Sequence, residues 1–374
     1  MKSIKIIFLL TALVAFSSCN QKPHKPSYVA SEWENPEWEN PEVFQKNRLE
    51  PTASFYRYKN TEEASKNNSW KKSSLYQSLN GAWSFYYAKN IFERPTDFYK
   101  DDFSIAGWDK LQVPSNWEIE GHGIPFYTNT KYMFPKNAPY IPHTDNPVGS
   151  YKRTFTIPEN WSDKDVILHF EAVSGAMYVW VNGKEVGYNE GSKTPSEFNI
   201  TKHLQKGDNT IAVQVLRWSD ASYMEDQDFW RLSGMDRDVY LFAKNKVSIH
   251  DFTIVSDLEN NYKDGVFNID LEFDNKTNSE SDHNVSIKLY DNKELVFSDE
   301  KESKFQKGIS KINFTHKLPS VKTWNAEKPN LYSLIINLKD KQGKTIEATN
   351  VKVGFRKIEI KNSQFLVNGK AVYI

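Results

Sequence analysis

Met177-Tyr178-Val179-Trp180-Val181, then Asn182-Gly183, then Lys184-Glu185-Val186-Gly187-Tyr188: two β-branched and aromatic runs are joined by two residues that both tolerate positive φ. This is the pattern of a two-residue β-hairpin, and it is the strongest such signal in the chain. On either side lie further short runs of the same kind: Asn80 to Tyr87, Tyr151 to Ile157, Val166 to Ala172, Thr210 to Leu216 and Val239 to Phe242. Each ends in Gly, Pro, Asn or Asp, and nothing here sustains a helical period, so the first large unit is read as a β-sandwich.

From about Val247 tryptophan becomes rare and apolar residues alternate with polar ones, as in Val266-Phe267-Asn268-Ile269-Asp270-Leu271. The pattern recurs at Val285 to Tyr290, Ile312 to His316, Leu331 to Leu338 and Val351 to Phe355. Roughly seven such strands predict an immunoglobulin-like sandwich, expected to act as a spacer. A third unit follows Arg356, with Ile358 to Ile360, Gln364 to Val367 and a second Asn-Gly turn at Asn368-Gly369. It stops at Ile374 within a strand-like run, so the chain is expected to be a truncated piece of a longer one.

Composition narrows the function classes. The chain has 374 residues, with 48 Lys and Arg against 48 Asp and Glu, so no overall basic field exists to hold nucleic acid. A mean hydropathy of -0.67 excludes an integral membrane protein of the helical kind. Eleven Trp, 19 Tyr and 23 Phe lean toward carbohydrate, because flat ring faces complement the C–H faces of pyranoses.

The N-terminus reads as an export signal: a basic Met1 to Lys5, an apolar Ile6 to Phe16, small Ser17-Ser18, and then Cys19, the one cysteine. That layout is too short to span a bilayer and resembles a lipoprotein signal over residues 1–18, with Cys19 as the lipidated residue. Residues 19–68 then form a tether and N-terminal arm, and the protein is expected to be exported and lipid-anchored in the cell envelope. Within the arm, Glu32-Trp33-Glu34-Asn35-Pro36 is repeated at once as Glu37-Trp38-Glu39-Asn40-Pro41.

Familiar catalytic arrangements are missing. The eight histidines are scattered, and no Gly-x-Ser-x-Gly or phosphate-cradling glycine loop occurs. No paired carboxylates of the retaining-glycosidase kind stand out. Two segments remain. Arg217 to Gly234 carries Asp220, Glu225, Asp226 and Asp228 between Arg217 and Arg231, which fits either a solvated acidic loop or a site for a cation or sugar hydroxyls. Val113 to Tyr132, rich in rings, prolines and glycines, reads as a long ordered irregular loop.

These segments carry a resemblance. Trp38 to Pro41, Val113-Pro114-Ser115-Asn116-Trp117, Tyr127-Thr128-Asn129, Asn146 to Tyr151, Pro195-Ser196-Glu197-Phe198, Arg217-Trp218-Ser219-Asp220, Glu225-Asp226-Gln227-Asp228, Arg237-Asp238-Val239 and Val353-Gly354-Phe355-Arg356 occur in this order. The series resembles the N-terminal part of the large bacterial β-galactosidases of glycoside hydrolase family 2. The resemblance implies an all-β chain: a jelly-roll sugar-binding sandwich (69–244), an immunoglobulin-like sandwich (245–356) and the first residues of a (β/α)8 barrel (357–374). It also implies that both catalytic glutamates lie beyond Ile374, so that this chain alone is inactive.

By the same resemblance Asn129 and Asp228 bind galactose hydroxyls, Asp228 also approaching a sodium ion. Glu37, Asn40, Val43, Glu190 and Asp220 fall where the family holds magnesium, with Glu37 and Glu190 standing where Asp and Gln are usual. The implied partners are β-galactosides, the membrane through the lipid anchor, no nucleic acid, and further copies of the complete enzyme in a homo-oligomer. Two alternatives stay open: a non-catalytic carbohydrate-binding module, and a β-glucuronidase or β-mannosidase of the same family.

Overall fold

The computed structural model describes residues 36–66, 69–129, 131–225 and 228–373. The export signal, Cys19 and the first Glu-Trp-Glu-Asn copy at 32–35 lie outside the described residues, as do Asp226 and Gln227.

The first sandwich pairs a seven-stranded antiparallel sheet with a four-stranded one. In the larger sheet the strands run Gln45–Lys46, Lys184–Asn189, Ala176–Val181, Asp208–Leu216, Val148–Thr156, Gly81–Ala88 and Asp109–Val113; the smaller runs Ser196–Asn199, Asp165–Phe170, Val239–Lys244 and Tyr76–Ser78. The expected hairpin is present, with Asn182 at φ 50° and Gly183 at φ 72°, the left-handed conformations its turn requires. Trp83, Phe85, Trp117, Tyr151, Phe170 and Phe198 fill the space between the sheets. Apart from Trp117, which lies in a turn, their inward positions follow the two-residue period of their strands.

One glycine shapes what comes next. A Cβ on Gly149 would lie 2.4 Å from Trp117 and 2.9 Å from Phe85, so the bare backbone of this central strand is what admits the indole. Trp117 in turn anchors the Val113 to Tyr132 loop, whose Ser115 and Trp117 amides donate to the carbonyls of Met235 (2.9 Å) and Ser233 (3.2 Å).

The second sandwich has the expected seven strands. Val247–Glu259, Asp264–Asn275 and Gly308–Leu318 make one sheet; Glu294–Phe305, Ser281–Asp291, Tyr332–Lys339 and Thr345–Val353 make the other. Phe267, Ile269, Phe273, Phe305 and Phe314 form a separate core. Beyond it Ile358–Lys361, Gln364–Val367 and Lys370–Ala371 make a small antiparallel sheet, and the described residues contain no barrel.

From Pro36 onward the arm is packed against the two sandwiches. Trp38 is buried and meets His143 edge-on, at a centroid distance of 5.1 Å. Farther along, Arg57 donates to the Ile249 carbonyl (2.7 Å) and pairs with the buried Glu347, and a short helix, Thr61–Ser65, lies against the second sandwich. Asp165 of the first sandwich takes Lys246 and Lys276 of the second as partners. Burial alone would raise the Asp165 pKa, but hydrogen bonds from the two ammonium groups outweigh it and hold the carboxyl below its ordinary value.

Candidate functional site

The segment read as an irregular loop contains a strand, Phe126–Thr128, which pairs with Phe229–Arg231 from the acidic segment. Thr128 faces Phe229, Tyr127 faces Trp230 and Phe126 faces Arg231. Asn129 therefore leaves one strand where Asp228 enters the other, so stretches about a hundred residues apart in sequence bring these two side chains to one end of a two-stranded ladder. Both are exposed. The Tyr127 hydroxyl donates to Asp228 Oδ1. That bond to the carboxylate holds the Tyr127 phenol above its ordinary pKa. Tyr127, Phe229 and Trp230 are 50%, 52% and 54% exposed, so rings flank the polar pair.

What keeps this ladder in place is a buried cation. Arg217 Nη2 donates to the carbonyls of Ile124 (3.1 Å) and Arg231 (2.9 Å), one on each side of the ladder. Its counterion, Glu118, lies 3.7 Å away with its side chain fully buried, and Glu118 Oε2 accepts the Ser233 amide at 2.9 Å. Desolvation pushes the Glu118 pKa up and the Arg217 pKa down. Beneath them Asn146 and Trp218 exchange two hydrogen bonds, Asn146 Nδ2 to Trp218 O (2.9 Å) and Trp218 N to Asn146 Oδ1 (2.8 Å).

The four acids do not form one solvated loop. Asp220 is buried in a short 3-10 turn; Glu225 turns inward, Oε1 accepting the Ser192 amide at 3.0 Å; Asp228 faces out, and Asp226 is outside the described residues. Burial raises the Glu225 pKa above the ordinary carboxylate range.

The residues expected around a divalent cation are partly assembled. Glu37 Oε2 accepts the Tyr178 hydroxyl at 2.6 Å, and Glu37 also pairs with Lys46. Asn40 Oδ1 accepts the Glu42 amide (3.2 Å), and Val43 N donates to Asn40 O (2.8 Å). Glu190 Oε2 accepts the Tyr188 hydroxyl at 2.7 Å beside Asp220, whose two oxygens are buried without a protein donor. Burial, reinforced by Asp220, pushes the Glu190 pKa up to about 8, and burial raises that of Asp220 as well.

No group of three or more His, Cys, Asp or Glu side chains suited to a metal occurs among the described residues. A magnesium ion here would take Glu190 and Asp220 as carboxylates and fill its shell with neutral oxygens, such as those of Asn40 and Val43, and water. The orphaned oxygens of Asp220 fit such an ion. Glu37, already neutralised by Lys46, has less need of it.

Raised carboxyl pKa values fix the sign of a pH effect. A folded state that keeps a proton on the Glu190–Asp220 pair, where the unfolded chain releases it near ordinary carboxylate values, loses stability as pH rises from about 5 toward 8. With chelator present, thermal unfolding should show this loss at no more than about 1.4 kcal/mol per pH unit, and Glu190→Gln should flatten it. An unchanged slope in the variant would place the titration elsewhere.

Residues 76–245 match the model of the family described as "Glycosyl hydrolases family 2, sugar binding domain", and residues 247–356 match that described as "Glycosyl hydrolases family 2". A β-galactosidase of Priestia megaterium is 43% identical over 350 residues, 92% of this chain and 33% of the relative. One from Psychromonas ingrahamii is 36% identical over 353 residues, again 92% of this chain and 33% of the relative. The chain thus spans about a third of the length of the curated relatives it matches. Among solved structures, a β-glucuronidase of Bacteroides uniformis superposes with a TM-score of 0.64 at 22% identity, over 79% of this chain and 34% of the other, a likeness of fold. Two consecutive domain matches, and sequence relatives aligned across nearly the whole chain, lead to one assignment: the chain belongs to glycosyl hydrolases family 2.

Proposed function

We propose that this chain is the sugar-binding front of an enzyme that hydrolyses terminal non-reducing β-D-galactose residues in β-galactosides with retention, the two catalytic glutamates belonging to a part of such enzymes that this chain does not span. The observation that carries the reading is the exposed Asn129–Asp228 pair, flanked by rings and held by a buried arginine. A carboxylate accepting sugar hydroxyls makes a charge-assisted hydrogen bond, and a hydroxyl of the wrong epimer would leave it unpaired. Relatives named β-galactosidase at 36–43% identity favour galactose over glucuronic acid or mannose.

Sodium at Asp228 would bridge carboxylate and sugar, and magnesium at Glu190 and Asp220 would take over the role that the proton plays in its absence, so added magnesium should remove the pH slope described above. A homo-oligomer of the complete protein follows from the same resemblance. Export with a lipid on Cys19 would place the sugar-binding front outside the inner membrane.

In the complete enzyme, Asp228→Ala should lower kcat/KM for a chromogenic β-galactoside by about 3 kcal/mol, roughly 150-fold, with the melting temperature nearly unchanged because Asp228 is exposed. The 374-residue chain on its own should turn over none of that substrate. Unchanged kcat/KM in the variant, or turnover by the isolated chain, would refute the assignment. Metabolic labelling with palmitate should mark the native protein and disappear in Cys19→Ala; an unlabelled native protein would reject the anchor.

A further inference from the structure

The arm leaves a cavity in the first sandwich, away from the Asn129–Asp228 ladder. It has a volume of about 390 Å³, lies between residues 48–57 and the outer face of the four-stranded sheet, and shares no lining residue with the ladder. Its floor is one rung of that sheet, where Glu197, His169 and Tyr240 stand side by side on three adjacent strands. His169 Nδ1 meets Glu197 Oε1 at 2.8 Å and its Nε2 meets Glu171 Oε2 at 2.9 Å. An imidazole that donates from both nitrogens is the cation, so this histidine offsets one of its two carboxylates and is stacked on Tyr240 at a centroid distance of 4.3 Å.

This arrangement spends one oxygen of each carboxylate and leaves Glu171 Oε1 and Glu197 Oε2 without a hydrogen-bond donor among the described residues. A donor is also left over: Arg48 Nε is buried without a partner. Over the rung, Trp70 packs 5.2 Å from Tyr240, and Tyr56 lies flat on Trp70 at 4.1 Å while remaining 37% exposed. Unspent acceptors, an unspent donor and ring surface within one small cavity describe a polyol with apolar C–H faces. A quaternary or primary ammonium would use the rings and carboxylates but would face the His169 cation and the Arg48 guanidinium. The volume lies at the small end for ligand pockets, which suits one or two sugar rings.

We propose that this cavity is a second, non-catalytic carbohydrate site that takes a neutral pyranose or disaccharide, its hydroxyls bonded to Glu171, Glu197 and Arg48 and one face set against Tyr56. Such a site would hold a glycan on the protein at a second point. The inference does not depend on the galactosidase reading.

Saturation-transfer NMR and calorimetry on the 374-residue chain with lactose, galactose and cellobiose test it. At least one of these sugars should bind, with Kd on the order of 1 mM. Tyr56→Ala and Glu171→Gln should each weaken that binding at least tenfold with melting temperatures close to native. Two variants on different elements guard against a local folding failure. Binding lost in Asp228→Ala but kept in both cavity variants would locate the sugar at the ladder and overturn the proposal. So would the absence of binding by all three sugars, or preferential binding of tetramethylammonium. Failure of the second site would leave the Asp228 kinetics untouched, so the two readings fail separately.

Discussion

Arg217 is the residue on which the rest of the site depends. Its guanidinium is buried, and it spends its donors on the two carbonyls, Ile124 and Arg231, that bracket the ladder carrying Asn129 and Asp228. A charge in that position is tolerable because Glu118 lies opposite and because the protein supplies hydrogen bonds in place of water. Removing one partner of such a pair strands the other, a loss on the order of 3–5 kcal/mol, and here it would also release both strands of the ladder. The constraint reaches back into the core. Gly149 admits Trp117, Trp117 fixes the loop that leads to Glu118, and the Asn146–Trp218 exchange fixes the segment that follows Arg217.

Much of this was legible in the sequence, for reasons that differ by element. The Asn182-Gly183 hairpin could be read because only a few residue types accept positive φ twice in succession. The strands of the second sandwich showed their alternation because one face of each is buried and the other is wet. Glu294–Phe305 escaped notice: it is an edge strand with few buried positions and many charges, the composition that keeps an edge from pairing with another chain but hides the strand in a sequence. Phe126–Thr128 escaped too, since three residues whose partner lies a hundred positions away leave no local signal.

The site itself was legible as residue types and motif order, not as geometry. Resemblance picks out Asn129 and Asp228, and only the ladder brings them together. Spacing could not show that four neighbouring acids part company, with Asp220 turned toward Glu190, Glu225 capping Ser192 and Asp228 facing solvent. Glu118 gave no sign of being a counterion, although an acid directly after Val113-Pro114-Ser115-Asn116-Trp117, in a ring-rich loop, is the kind of residue that invites the question. The contacts of the arm left no local signal either: it joins both sandwiches through Trp38, Arg57 and the Thr61–Ser65 helix, and in doing so roofs the cavity over the four-stranded sheet.

We propose that the ladder selects galactose. The most direct test is the relative kcat/KM of the complete enzyme on p-nitrophenyl β-D-galactoside, β-D-glucoside and β-D-glucuronide under one set of conditions. A site that pairs its carboxylate with the galactose hydroxyls should favour the galactoside over its C4 epimer by about a hundredfold or more, with the glucuronide lower still. A glucuronide turned over faster than the galactoside would contradict the claim and give the ladder to a different sugar.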